Sequence, residues 1–152
     1  MPSNAFETLH DLAKLKTERA LTEFSRLLSS ELSALDKLKM LQDYRDEYQS
    51  RLDRAREDGL GVPALQNYQS FLLRMDMAIA EQSRAAEFAT GQKDAGKQKW
   101  IDARAKESAY HTLLKREQSR IDALAQRRDQ KILDEFASRA VRRTIQSDSG
   151  KD

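Results

Sequence analysis

The chain has 152 residues, of which 34% are charged and 7% aromatic, and it contains no cysteine. This composition excludes a disulfide framework, thiol catalysis and cysteine metal sites, and it is typical of long helices and coiled coils in a single domain. The N-terminal residues carry neither the basic nor the apolar region of a signal peptide, and no run approaches the ~20 apolar residues that span a bilayer.

The net charge of +2 is unevenly distributed. Residues 1–92 carry a net −3, residues 93–143 a net +6 and residues 144–152 a net −1. The basic part predicts an acidic partner surface, with a solvated helix face of mixed charge as an equal alternative. Nucleic-acid binding through residues 115–143 is a third interpretation, which the interspersed acidic residues disfavour.

A first helix is predicted over residues 4–58. Asn4 followed by Glu7 is typical of an N-cap and its N3 carboxylate, and Gly59 supplies a left-handed C-terminal stop. Irregular steps between Leu28 and Leu41 predict stutters in a coiled coil. The predicted apolar stripe consists of Phe6, Leu9, Ala13, Ala20, Phe24, Leu28, Leu35, Leu38, Leu41, Tyr48, Leu52 and Ala55.

Residues 59–63 form the predicted turn, a second helix is predicted over residues 64–143, and residues 144–152 are expected to be a disordered tail. Pro63 suits the first turn of the second helix, where its missing N–H costs nothing. Two series of positions that repeat every seven residues predict one long helix in a left-handed coiled coil. They are Leu65, Leu72, Ile79, Ala86, Lys93, Trp100, Glu107, Leu114, Ile121 and Arg128, and Tyr68, Met75, Gln82, Ala89, Gly96, Ala103, Tyr110, Glu117, Leu124 and Lys131.

The predicted fold is therefore all-α, with residues 1–146 forming one antiparallel two-helix coiled coil, a long α-hairpin. Residues whose numbers add to roughly 121 should face each other across such a hairpin. The small centre of the second helix then faces larger side chains, which is how paired helices interdigitate. The second helix should continue unpaired beyond about residue 117, and a monomer is expected rather than a homodimer. The large residues expected opposite Ala86, Ala89, Lys93 and Gly96 are Leu35, Leu32, Leu28 and the Phe24 region.

Residues 91–97 fit the start of a phosphate-binding loop, but the match is not specific. The following residue, Gln98, lacks the hydroxyl that such a loop places on a magnesium ion, and no strand precedes it. We interpret Gly96 as allowing close approach of the partner helix and Gly91 as a tolerated exposed glycine. A break in the helix over residues 90–97 is the alternative.

Other candidate chemistry is sparse. His10 and His111 have no second metal ligand at a useful helical offset, and the carboxylates of Asp43, Asp46 and Glu47 are typical of a solvated face. Since no nucleophile–base pair is evident, we expect no enzymatic activity, no cofactor and no metal. An aromatic group is expected beside the turn, formed by Tyr44, Tyr48 and Tyr68.

Three blocks of sequence carry a resemblance to a known family. They are residues 6–13 (FETLHDLA), residues 39–48 (KMLQDYRDEY) with residues 67–71 (NYQSF), and residues 127–140 (RRDQKILDEFASRA). In order and spacing they resemble the FliJ family of the bacterial flagellar type III export apparatus. The resemblance spans nearly the whole chain, whereas residues 83–115 match little beyond the helical pattern.

This resemblance implies an antiparallel coiled coil similar to the terminal helices of the rotary ATPase central stalk subunit. It implies a cytoplasmic protein, peripherally associated with the inner-membrane export apparatus. Its partners would be the hexameric flagellar export ATPase, the cytoplasmic domain of the export gate, and export substrates with their chaperones, for which it would act as an escort. The alternatives are the stalk counterpart of an injectisome and another kind of coiled-coil adaptor.

The resemblance also implies two sets of binding residues, one near the chain ends and one soon after the turn. Met75 and Gln82 occupy seam positions, which leaves their exposure open, and ordinary packing of Phe71 against the first helix is an alternative to binding. The ATPase-binding set is Leu9, Asp11, Leu12, Asp129, Gln130, Lys131, Asp134, Phe136, Ala137 and Arg139, and the export-gate-binding set is Phe71, Met75, Ala78 and Gln82.

Overall fold

The computed structural model describes the backbone of residues 2–150 and the side chains of residues 5–150. Helix α1 is Pro2–Glu57 and helix α2 is Val62–Ser149, and these described residues contain no strand. The two helices pack against each other, so the predicted all-α class is confirmed. The chain divides into two compact units: unit 1 is Met1–Lys14 with Ala105–Asp152, and unit 2 is Leu15–Arg104.

The two helices extend further than predicted at both chain ends. Helix α1 already includes residue 4, so Asn4 does not stand before the helix as an N-cap, and its side chain lies outside the described residues. Helix α2 continues to Ser149, whereas a disordered tail was expected from residue 144. The hydroxyls of Thr144 and Ser147 donate to carbonyls four and three residues back, which is compatible with a continued helix. Residues 151 and 152 lie outside the described part.

The turn between the helices has the predicted left-handed stop. Gly59 has φ of 89°, a backbone conformation that L side chains rarely adopt. The N–H groups of Asp58 and Gly59 donate to the carbonyls of Arg54 and Arg56 at 3.1 and 3.3 Å, which satisfies the end of α1. Helix α2 then begins at Val62 and carries Pro63 in its first turn.

In unit 2, helix α2 buries the seam that its sequence predicts. The helix runs without interruption through Gly91 and Gly96, so the alternative of a break is excluded. Trp100 stacks on Phe24 with ring centroids 5.8 Å apart, and the Tyr68 ring lies 5.1 Å from that of Tyr48, so the helices of this unit are antiparallel. The predicted positions that are buried or half-buried are Leu65, Tyr68, Leu72, Met75, Ile79, Gln82, Ala86, Ala89, Lys93, Gly96, Trp100 and Ala103.

The seam of α1 in unit 2 was predicted incorrectly in its centre. Leu28, Leu32 and Leu35 are exposed beside the seam and do not occupy it. Glu31 and Arg45 occupy seam positions, because charged partners on α2 pair with them. The seven-residue repeat of α1 therefore continues without a stutter and without a leucine at these two positions. The buried or half-buried positions are Thr17, Ala20, Phe24, Leu27, Glu31, Ala34, Leu38, Leu41, Arg45, Tyr48, Gln49, Leu52 and Ala55.

Gly96 lies at a close approach of the two helices in unit 2. A Cβ atom added at this residue would lie 2.6 Å from Leu27 Cδ1 and 3.7 Å from Phe24 Cα. A Cβ atom at Gly91 would meet nothing within 4 Å. Both interpretations of these glycines are therefore confirmed: one permits helix contact, and the other lies on open surface.

In unit 1, the first turns of α1 pack against α2. The imidazole rings of His10 and His111 lie 5.5 Å apart, and Ala13 is buried. The half-buried residues of α2 in this unit are Glu107, Tyr110, Leu114, Glu117, Ile121 and Ala125. Residues 126–150 are all exposed, as expected for an unpaired end of α2, although half-buried positions reach residue 125 and not only about residue 117.

Candidate partner-binding surfaces

The described residues contain no group of three His, Cys, Asp or Glu side chains that could hold a metal ion. The rings of His10 and His111 lie close in space, as expected for two residues whose numbers add to 121, and His10 Nδ1 also lies 3.9 Å from Asp11 Oδ1. Two imidazoles on facing helices fall short of the four-ligand sets typical of structural zinc.

A charged pair joins the helices of unit 2 on one side of the seam. Arg45 donates hydrogen bonds from Nε and Nη2 to the two carboxylate oxygens of Asp76. This contact raises the pKa of Arg45 above its ordinary value. A forked guanidinium–carboxylate contact fixes geometry as well as energy, so it helps to set the helix register.

A second polar contact in unit 2 involves a lysine at a seam position. Lys93 Nζ lies 3.3 Å from Glu31 Oε2 on α1 and 2.8 Å from Asp94 Oδ1 on its own helix. The hydrogen bond to Asp94, with that to Glu31, raises the pKa of Lys93 above its ordinary value, although desolvation opposes this. Both charged groups of the Lys93–Glu31 pair are therefore satisfied inside the seam.

The four residues proposed to bind the export gate differ in exposure. Phe71 is half-buried, with its ring 4.3 Å from that of Tyr48 and 6.5 Å from that of Tyr44. Met75 is buried in the seam, whereas Ala78 is exposed. Gln82 is half-buried and donates from Nε2 to the Ala34 carbonyl at 3.0 Å. Ala78 is thus the most accessible member of this set, and Phe71 is partly accessible.

An aromatic cluster adjoins Phe71, as the sequence predicts for the region beside the turn. The Phe71 ring contacts those of Tyr44 and Tyr48, and Tyr68 joins the cluster through Tyr48. Tyr44 is exposed and lines a shallow, open groove on α1. The groove is lined by Asp36, Lys39, Met40, Asp43, Tyr44 and Glu47, so it combines apolar surface with mostly acidic side chains.

All residues proposed to bind the ATPase belong to unit 1, and every one of them is exposed. Leu9 and Leu12 lie near the start of α1, where large apolar side chains remain accessible. On α2, Phe136 is 74% exposed, and Gln130 donates to Asp134 one turn later at 3.1 Å. Exposed apolar patches with a polar rim are typical of surfaces that bind another protein.

An ion pair within α2 of unit 1 joins residues one turn apart. Arg120 Nη2 lies 2.6 Å from Glu117 Oε1, and this hydrogen bond lowers the pKa of the Glu117 carboxyl below its ordinary value. Among the residues that the structure describes, no helix combines the length and the apolar character that crossing a membrane requires.

Two long helices that pack against each other define an all-α protein of the coiled-coil class. The model of a family described as "FliJ: Flagellar FliJ protein" matches residues 2–146. A flagellar FliJ protein of Salmonella typhi is 32% identical over 139 residues, covering 91% of this chain and 95% of that protein. One of Escherichia coli strain K12 is 31% identical over 139 residues with the same coverage. The chain belongs to the FliJ family and is a flagellar, export-related protein.

Proposed function

We propose that this chain is a stalk-like coiled coil of the flagellar type III export apparatus. It binds the hexameric export ATPase through unit 1 and the cytoplasmic domain of the export gate through residues that follow the turn in unit 2. It escorts export substrates and their chaperones, and it works as a monomer in the cytoplasm at the inner membrane. The flagellar relatives favour this apparatus over the injectisome counterpart.

The observation that carries the ATPase part is the uncovered end of α2. Residues 126–149 form helix with every residue exposed, and this stretch includes Phe136 and other large apolar residues. A helix that is stable in isolation does not need such residues, because its outer faces are better served by charged side chains. Their presence favours a partner that covers them, and the net positive charge of residues 93–143 favours an acidic one.

The gate part is supported by Phe71 and Ala78, which flank the seam and stay accessible. Met75 and Gln82 support this surface from within, since one is buried under it and the other is hydrogen-bonded across the seam. In this proposal Phe71 contributes an aromatic edge held in place by Tyr48, and Ala78 allows close approach of the partner.

Binding assays with three phenylalanine variants test the two surfaces separately. Phe136→Ala should lose binding to the cognate export ATPase and retain binding to the gate domain. Phe71→Ala should lose binding to the gate domain and retain binding to the ATPase. Phe88→Ala is the matched control, because Phe88 is 70% exposed on α2 but belongs to neither surface. Since Phe71 packs on Tyr48, circular dichroism of its variant must show an intact helix content before a loss is attributed to binding.

A truncation tests the ATPase contact more severely. A chain that ends after Gln126 removes the exposed segment of α2 and keeps the half-buried positions through Ala125. It should no longer stimulate ATP hydrolysis by the cognate export ATPase, while its binding to the gate domain persists. Normal stimulation by the truncated chain would contradict the assignment of this contact to residues 129–139.

A further inference from the structure

The outward side of α1 in unit 2 carries a stripe of exposed leucines that the proposed function does not use. Leu21, Leu28, Leu32 and Leu35 are 42%, 37%, 55% and 43% exposed. Each follows a buried or half-buried seam residue by one position, so the stripe repeats the heptad spacing of the seam along the adjacent face. This stripe is called the leucine face below.

The leucine face lacks charge in a chain that is 34% charged. Between Glu18 and Asp36, the side chains interleaved with these leucines on the same face are the small hydroxyls of Thr22, Ser25 and Ser29. Loss of charge around exposed apolar side chains is characteristic of the centre of protein interfaces. Small residues between the leucines let another backbone approach closely.

Three of the four charged residues of the same segment are paired elsewhere, and helical spacing places the fourth, Arg19, on the side of α1 away from these leucines. Arg26 Nη2 lies 2.6 Å from Glu23 Oε1, so these two side chains pair with each other on α1. Glu31 is buried in the seam against Lys93. No charge of this segment is therefore directed at the leucine face, and a partner with a charged contact surface would lose solvation there without gaining an ion pair.

The size of the leucine face limits what can cover it. Leucines with these exposures present apolar surface on the order of 300 Å². A stable homodimer needs about 800 Å² from each partner, which is well beyond this patch. One helix of about two heptads has the length and width to cover it, as in three-helix coiled coils.

We propose that the leucine face binds a single amphipathic helix of a partner protein whose contact side is apolar and uncharged. The helix packs beside α1 as a third strand of the coiled coil and inserts its large side chains over Ser25 and Ser29. Because the buried area is small, binding is weak and reversible. This site is additional to the ATPase and gate surfaces proposed above.

The test uses the full chain and a fluorescently labelled synthetic helix with leucine at heptad positions and serine, alanine and glutamine beside them. A second probe carries glutamate beside the same leucines. Fluorescence anisotropy should show saturable binding of the neutral probe and at least tenfold weaker binding of the acidic one. Leu28→Ser with Leu32→Ser should weaken the neutral probe at least tenfold.

The matched control is Leu73→Ser with Met77→Ser, since these residues of α2 are 63% and 66% exposed but are interleaved with the charged Arg74 and Asp76. This control should bind the neutral probe like the unaltered chain. Equal loss in both double variants, or equal binding of both probes, overturns the proposal because either shows unspecific apolar adsorption. Light scattering that shows a homodimer dissociated by the leucine substitutions overturns it in favour of a second copy.

Discussion

A single added methyl group distinguishes the two glycines in the middle of α2. Gly91→Ala and Gly96→Ala remove the same backbone freedom in the same helix, so each gains about 1 kcal/mol of helix propensity. Only the substitution at residue 96 places the new Cβ against α1, 2.6 Å from Leu27 Cδ1. The difference between the two variants therefore measures the cost of that contact alone.

The magnitude of this cost follows from which atom must move. Phe24 Cα, at 3.7 Å, is at ordinary contact distance, whereas the Leu27 methyl must rotate away from its half-buried position. Overpacking of this kind costs ~1–3 kcal/mol, and because only the end of a flexible side chain is displaced we expect the lower part of that range. Gly91→Ala should thus be stabilising, and Gly96→Ala neutral or destabilising.

Urea denaturation followed by circular dichroism measures both free energies of unfolding. A double-mutant cycle with Leu27→Ala isolates the contact, since removing the Leu27 methyls should allow Gly96→Ala to recover the stability gained at residue 91. If Gly96→Ala stabilises the chain as much as Gly91→Ala while Leu27 is present, the close approach of the helices at this point is refuted.

Three further predictions concern the seam and the turn. Leu52→Ala should lower the free energy of unfolding by ~2–5 kcal/mol, because Leu52 is 1% exposed, whereas Leu32→Ala on open surface should cost far less in the same urea titration. Gly59→Ala should cost ~1 kcal/mol because Gly59 has φ of 89°, with Gly61→Ala as the control of negative φ in the same turn. Lys93→Met should be less stable than the unaltered chain, and this difference in the free energy of unfolding should shrink only at alkaline pH. Folding raises the pKa of Lys93, so the stabilisation that charged Lys93 gives is complete below about pH 10.5 and is lost as the pH rises through the raised pKa. A difference in the free energy of unfolding that already disappears between pH 7 and 9 would contradict the assignment of this stabilisation to Lys93.

The sequence predicts the seam of α2 far better than the seam of α1, because seven-residue spacing is a better guide to seam positions than apolar character. Along α2 the seven-residue spacing predicts the seam whatever the residue type, so polar and small residues such as Lys93 and Gly96 fall on seam positions. Both lie in the seam. Along α1 apolar character instead predicts Leu28 and Leu35, which lie exposed beside the seam. Strict spacing from Phe24 leads instead to Leu27, Glu31 and Ala34, which are the residues that the structure buries or half-buries.

The candidate surfaces were predictable to different degrees for a related reason. The exposure of residues 129–139 follows from the helix lengths, because α2 is longer than α1 and α1 has no residues left to face them. The environment of Phe71 and Gln82 does not follow from the helix lengths. It depends on side-chain contacts across the helix pair, namely the rings of Tyr44 and Tyr48 and the carbonyl of Ala34. Sequence patterns place a residue on a face, but they do not say whether a neighbour covers it.

The polar residues of the seam in unit 2 explain why its leucines can lie outside it. The contacts from Glu31 to Lys93 and from Arg45 to Asp76 match only in one register, and a shift of one heptad would leave part-buried charges without partners. Such contacts specify register rather than add stability, as buried polar residues do in other coiled coils. A more stable helix pair would result from moving Leu32 or Leu35 one residue toward the seam, where more apolar area is buried. A chain that keeps these leucines exposed among serines lacks that additional stability of the helix pair. Binding of the proposed partner helix accounts for their position at the surface.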